Sequence, residues 1–272
     1  MLGGAAGQLY QGREVEGLVD GWKGGELVDG RRWLPPGPLL SAAVRPAADW
    51  FVGGCAVLTA VGGILTAHHA QAGRLDRSID ARIQAALASH NGLLVAVADI
   101  AKPSRVALLI AVLVVACVAA RRLDGVLLAV VAVPAAILLT EGLKQLFDRT
   151  LNGAPVYPSG HTATAFALAA VVMILMLCPS RHVLPFAVRL AITLAAMLVA
   201  CAVAIAVIGL NWHYFTDTLA GAAVGVGTVV GVSLAIDGAF RHVAAPGPTT
   251  WPTKAAGAGQ TPADADSVPP RT

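Results

Sequence analysis

Six long apolar runs constrain this chain more than any motif does: about 48–67, 104–120, 125–143, 162–178, 190–210 and 218–236. A helix rises about 1.5 Å per residue and a bilayer's hydrocarbon core is roughly 30 Å thick, so runs of this length cross a membrane as single helices. Composition agrees, with 56 % hydrophobic and only 13 % charged residues, against about 25 % charged in soluble domains. The expected fold is therefore all-α: a polytopic membrane protein of six transmembrane helices.

The same composition excludes several function classes. Nineteen basic and 16 acidic residues are scattered, nearly all outside the apolar runs, with no dense basic block, so a nucleic-acid partner is not expected. The four cysteines, Cys55, Cys117, Cys178 and Cys201, lie within or at the ends of runs, without a Cys-x-x-Cys or a histidine at ligand spacing. They read as small apolar packing residues, and neither a metal nor another cofactor is expected. Residues 1–45 have no apolar core of signal-peptide length, so the first run is expected to direct insertion itself.

In chain order, residues 1–46 read as a flexible, glycine-rich tail with mixed charges, residues 47–237 as one membrane domain, and residues 238–272 as a proline-containing disordered tail. The pair His68-His69 marks a water interface. Between the first two spans, residues 70–103 carry Arg74, Asp76, Arg77, Asp80 and Arg82. Ile79, Ile83, Ala86 and Leu87 recur there at helical spacing, which predicts an interfacial helix lying along the membrane. Arg121 and Arg122 make a turn, and Pro179 to Arg189 makes another. Glu141, one turn before Lys144, is expected to pair with it. Gly221, Gly225, Gly227 and Gly231 predict close packing of the last span against its neighbours. Basic residues slightly favour cytoplasmic termini.

Three polar islands interrupt the apolar sequence: Lys144 to Arg149, Tyr157 to His161, and His213 to Asp217. Two crossings separate the second island from the third, so His161 and His213 should meet at one membrane face. The first island needs no crossing to join them. Ser159 and Gly160 stand where a helix begins, with unpaired N–H groups and the positive end of its dipole, which suits an oxyanion. His213 and Asp217, four apart, share one helical face, so the carboxylate can fix the imidazole tautomer and leave the other nitrogen as a nucleophile. Cations, a nucleophile and an acid are what phosphate-ester cleavage needs.

The order of a lysine-arginine block, Pro158-Ser159-Gly160-His161 and His213-x-x-x-Asp217 resembles the type 2 phosphatidic acid phosphatase superfamily over about residues 48–236. By that resemblance His213 attacks the phosphoryl group to form a phosphohistidine, Asp217 orients it, and His161 protonates the leaving oxygen. Lys144, Arg149, Ser159 and the Gly160 backbone hold the phosphoryl oxygens, without a metal. The substrate implied is a membrane lipid phosphomonoester or diphosphate of the polyprenyl diphosphate, phosphatidic acid or phosphatidylglycerol phosphate class, reached from the bilayer at the outer face of the cell membrane. The family's first block ends in arginine-proline where this chain has Leu151 and Asn152, and its third begins serine-arginine where this chain has Ala206 and Val207. A lipid-to-lipid phosphotransferase and a pseudoenzyme that binds lipid phosphates are the alternatives.

Overall fold

The computed structural model describes residues 38–67, 71–177 and 184–244. The tail up to residue 37, the His68-His69 pair, Cys178, the turn from Pro179 to His182 and the tail beyond residue 244 lie outside the described residues. Within them run eight α-helices and one small hairpin.

Helix α1 (Arg45–Thr66) starts earlier than its apolar run because Pro46 sits in its first turn, where a missing N–H is harmless. Helices α4 (Pro103–Ala119), α5 (Leu123–Phe147), α6 (Gly160–Leu177), α7 (Phe186–Gly209) and α8 (Phe215–Ala244) follow the other runs. Five of the six are long and apolar enough to cross a membrane. Helix α4 has 17 residues, about 25 Å, the short end of the spanning range. Side chains such as Trp50, Leu65, Val115, Leu138 and Leu198 stand exposed on the outer faces, as lipid-facing positions require.

The segment between α1 and α4 differs from the single interfacial helix expected. It forms two helices, α2 (Arg74–Leu87) and α3 (Asn91–Ala98), the second continued by a 3-10 turn at Asp99–Ala101, with a bend of 115° between them. The weak helix formers Ser89, His90, Asn91 and Gly92 stand at the break. On α2 the fully buried positions are Asp76 and Asp80, not the isoleucines, which are only half-buried. Helix α3 lays Leu94 and Ala98 against Ala206 and Val207 of α7.

Helix α5 runs four residues past its apolar stretch, to Phe147, and so carries Lys144 on its last turn. Asp148 ends it in the left-handed region, φ 45°, its N–H donating to the Lys144 carbonyl. The chain then makes a hairpin, β1 (Thr150–Leu151) against β2 (Ala154–Pro155), turned by Asn152 and Gly153 at φ 51° and 79°. Two positive φ values suit an Asn-Gly turn of this kind. The peptide bond from Tyr157 to Pro158 is cis.

Helix α6 is the central element, packed by α5, α7 and α8. Against α8 the contact is backbone to backbone: a Cβ at Gly221 would lie 2.5 Å from the Ser159 carbonyl oxygen, and one at Gly225 would collide with the Ala163 carbonyl. This is the close packing that the glycine spacing predicts. At the opposite end α6 is capped from two sides, Arg122 donating to the Leu175 carbonyl at 2.9 Å and Arg189 to the Met176 carbonyl at 3.0 Å. Cations there also meet the negative end of the dipole.

Candidate active site

The three islands meet at one end of the bundle. Lys144 on the last turn of α5 pairs with Glu141 at 2.7 Å, the i, i+3 pairing expected. Its Nζ would be 3.4 Å from a Cβ at Gly160, so the ammonium lies over the first turn of α6, and any side chain at 160 would crowd it. His161 is the next residue of that turn. Its ring centroid is 6.4 Å from that of His213 and 5.7 Å from that of Trp212.

Ser159 is fully buried and caps α6: its Oγ accepts from the Thr162 N–H at 3.4 Å while donating to Thr162 Oγ1 at 3.0 Å. Its own N–H donates to the Asp217 carbonyl at 3.0 Å, tying the start of α6 to the start of α8. The Gly160 and His161 amides, first in α6, have no acceptor within their own helix.

His213 lies in the loop between α7 and α8, 8 % exposed. Its Nδ1 stands 3.0 Å from the Val156 carbonyl oxygen, which can only accept, so Nδ1 carries the proton and Nε2 the lone pair. Burial first, then the charges of His161 and Lys144, hold this imidazole down at about 3, against the opposing pull of the Val156 carbonyl. It is therefore neutral at physiological pH.

The expected Asp217–His213 hydrogen bond is not made. Asp217 Oδ2 is 3.9 Å from His213 Nδ1 and instead accepts the Tyr214 N–H at 2.9 Å, the back-bond of a capping box at the start of α8. Its Oδ1 accepts from Arg149 Nη1 at 2.5 Å. Arg149 likewise differs from an open phosphate ligand: it is 1 % exposed, with Nη1 also on Thr216 Oγ1 and Nη2 on Asp76 Oδ2, both at 2.7 Å. Its guanidinium lies 4.3 Å from the Tyr214 ring centroid. Both of its terminal nitrogens are thus taken by carboxylates.

Asp76 and Asp80 gave no functional signal in the sequence. They stand four apart on one face of α2, where Asp76 accepts the Thr216 N–H at 3.0 Å and Asp80 the Phe215 N–H at 3.1 Å. With Asp217 on the Tyr214 N–H, three carboxylates take the first donors of α8. The two helix starts are thus opposite in character. That of α8 is filled by acids, and that of α6 is open and faces Lys144.

Beside α6 a cavity of about 370 Å³ lies between α4, α5 and α6, with Lys144, Glu141, Gly160 and His161 at a polar end and Val106, Ile110 and Ile137 along an apolar wall. A larger cavity of about 490 Å³ between α1, α5 and α8 is lined by residues such as Leu139, Phe147 and Val224, with no charged group. Only the first joins an apolar trough to ionisable chemistry. The positions of the family's two further arginines are closed to it: Leu151 belongs to the hairpin, and Val207 is fully buried against α3.

An all-helical integral membrane protein with a paired-histidine site at one end of its bundle is the class that this fold and geometry define. Residues 125–241, which hold nearly all of α5 through α8 and all seven predicted site residues, match the PAP2 superfamily model. Among solved structures the chain is similar to the "first transmembrane PAP2 type phosphatidylglycerolphosphate phosphatase from Bacillus subtilis", with a TM-score of 0.55 and 19 % identity over 70 % of this chain and 97 % of that one. At that identity the likeness is one of fold. No curated protein matches the chain.

Proposed function

We propose that the protein is a membrane lipid phosphatase working through a phosphohistidine on His213. The observation that carries this reading is the pinned imidazole: Nδ1–H fixed on the Val156 carbonyl, the ring neutral, His161 at 6.4 Å and the open start of α6 alongside. Nε2 attacks phosphorus, the bond from phosphorus to the leaving oxygen breaks (the lipid oxygen of a monoester or the bridging oxygen of a diphosphate), and His161 delivers a proton to that oxygen. His161 then takes a proton from water, whose oxygen attacks phosphorus and releases inorganic phosphate and His213. Lys144, Ser159 and the Gly160 and His161 amides hold the phosphoryl oxygens. Asp217 and Arg149 act by positioning, since Asp217 sets the start of α8 and Arg149 joins it to Asp76.

The lipid enters from the bilayer with its chain along the apolar wall of the α4–α5–α6 cavity. The site faces outward across the cell membrane, with cytoplasmic termini. Phosphate release from mixed micelles of polyprenyl diphosphate, phosphatidic acid and phosphatidylglycerol phosphate, with chelator present, tests the reading. Activity in wild type that is lost in His213→Ala supports it, and equal release by both proteins refutes the mechanism. Leu151 and Val207, with Arg149 enclosed, favour one rival, a pseudoenzyme, which would bind these lipids with no turnover. Label passing to a second lipid without free phosphate would identify a transferase.

A further inference from the structure

The phosphoryl end of the cavity is short of positive charge. A phosphate ester brings up to two negative charges, yet Lys144 is paired with Glu141, Arg149 is enclosed by Asp76 and Asp217, and positions 151 and 207 are apolar. Two further cations stand at the start of α4. Lys102 is its N-cap residue, bracketed by Ala101 and Pro103, both of which line the same cavity as Lys144 and His161. Lys102 Nζ is 2.8 Å and Arg105 Nη2 3.9 Å from the single carboxylate of Asp99, and each cation is 53 % exposed. Two cations on one acid leave a net positive charge. Asp99, Lys102 and Lys144 all lie within electrostatic range of His161.

We propose that Lys102 and Arg105 form a second anion subsite at the mouth of the cavity, which takes the lipid-proximal phosphate of a lipid diphosphate while the terminal phosphate sits at Lys144 and His213. The inference rests on the lipid phosphatase reading and narrows its substrate to the diphosphate class. Geometry decides which phosphate goes where. A chain lying on Val106 and Ile110 of α4 emerges beside the first turn of that helix, so the phosphate nearest the chain is the one that reaches residues 102–105. A monoester has no group to place there.

The test compares farnesyl diphosphate with farnesyl monophosphate in the same micelles, in wild type, in Lys102→Gln/Arg105→Gln and in Asp99→Asn. Wild type is expected to prefer the diphosphate in kcat/KM. Losing a charge-assisted contact is expected to cut that preference about tenfold or more in the double variant, mainly through KM. Asp99→Asn, which frees both cations, should lower KM for the diphosphate. An unchanged preference in the double variant, with both substrates turned over, overturns the subsite and leaves the phosphatase reading intact. If wild type turns over neither substrate, the phosphatase reading is decided by phosphate release from phosphatidic acid and phosphatidylglycerol phosphate. The subsite is then judged by thermal stabilisation in detergent: greater stabilisation by the diphosphate that the double variant loses upholds it, and equal stabilisation by both lipids overturns it.

Discussion

At the residue scale, one carbonyl and one ion-pair cluster decide what the site can do. His213 was legible as a candidate from its place after two crossings, but its partner was not. The i, i+4 spacing pointed to Asp217, whereas Val156, which holds the ring, offers only a backbone oxygen that no sequence pattern marks. A histidine kept neutral down to about 3 binds no proton where the unfolded chain, near 6.5, does. Stability is therefore full above about pH 6.5 and falls as the pH drops toward 3. Asp80, raised to about 6 chiefly by burial and next by Asp76, works in the opposite sense. It gains relative stability as the pH falls through that value. His213→Asn removes only the first effect, so its melting temperature in detergent should drop less than that of wild type between pH 7 and pH 5. An equal drop would count against a neutral, buried His213. Arg149→Ala leaves Asp76 and Asp217 as buried unpaired carboxylates, a loss of about 3–5 kcal/mol. Detergent melts should show it as destabilisation, partly relieved by adding Asp76→Asn. A stable protein with only a raised KM would instead make Arg149 a substrate ligand.

At the element scale, the contact of α6 with α8 sets the site. The glycine spacing in the last span announced close packing, and the structure assigns it: Gly221 lies under the Ser159 carbonyl, at the residue that caps α6. Gly221→Ala must push the two helix starts apart and with them His161 and His213. Activity should fall at least about tenfold by the sensitivity of positioned groups to small displacements, whereas Gly53→Ala, with open space around it, should leave it unchanged. Comparable rates for the two variants would remove the α6–α8 contact from the account of the site. Helix α2 was legible as an amphipathic interfacial helix, but what its inward face meets was not. Its inward face is carboxylate because its partners are amides of α8, 135 and 140 residues away in sequence, and sequence periodicity carries no record of such a pairing. The hairpin at 150–155 did have a local signal in Asn152-Gly153, too short to stand out beside the spans that flank it.

At the scale of the whole molecule, the parity of crossings is the most legible feature, because each apolar run is a separate vote and two crossings return the chain to one face. The convergence of His161 and His213 bears this out. Which face of the membrane that is belongs to a different kind of evidence, since the basic residues are nearly balanced. A cysteine at Asn152, exposed at the hairpin turn, should react with an impermeant maleimide in intact cells; protection until the cells are opened would reverse the orientation. The central claim, a covalent phosphohistidine at His213, is tested most directly by rapid denaturation of the enzyme turning over a lipid labelled on its terminal phosphate. Label that is stable in alkali, released by acid and absent from His213→Ala is the expected result. Release of labelled phosphate with no labelled protein at any quench time, or label that persists in His213→Ala, would contradict it.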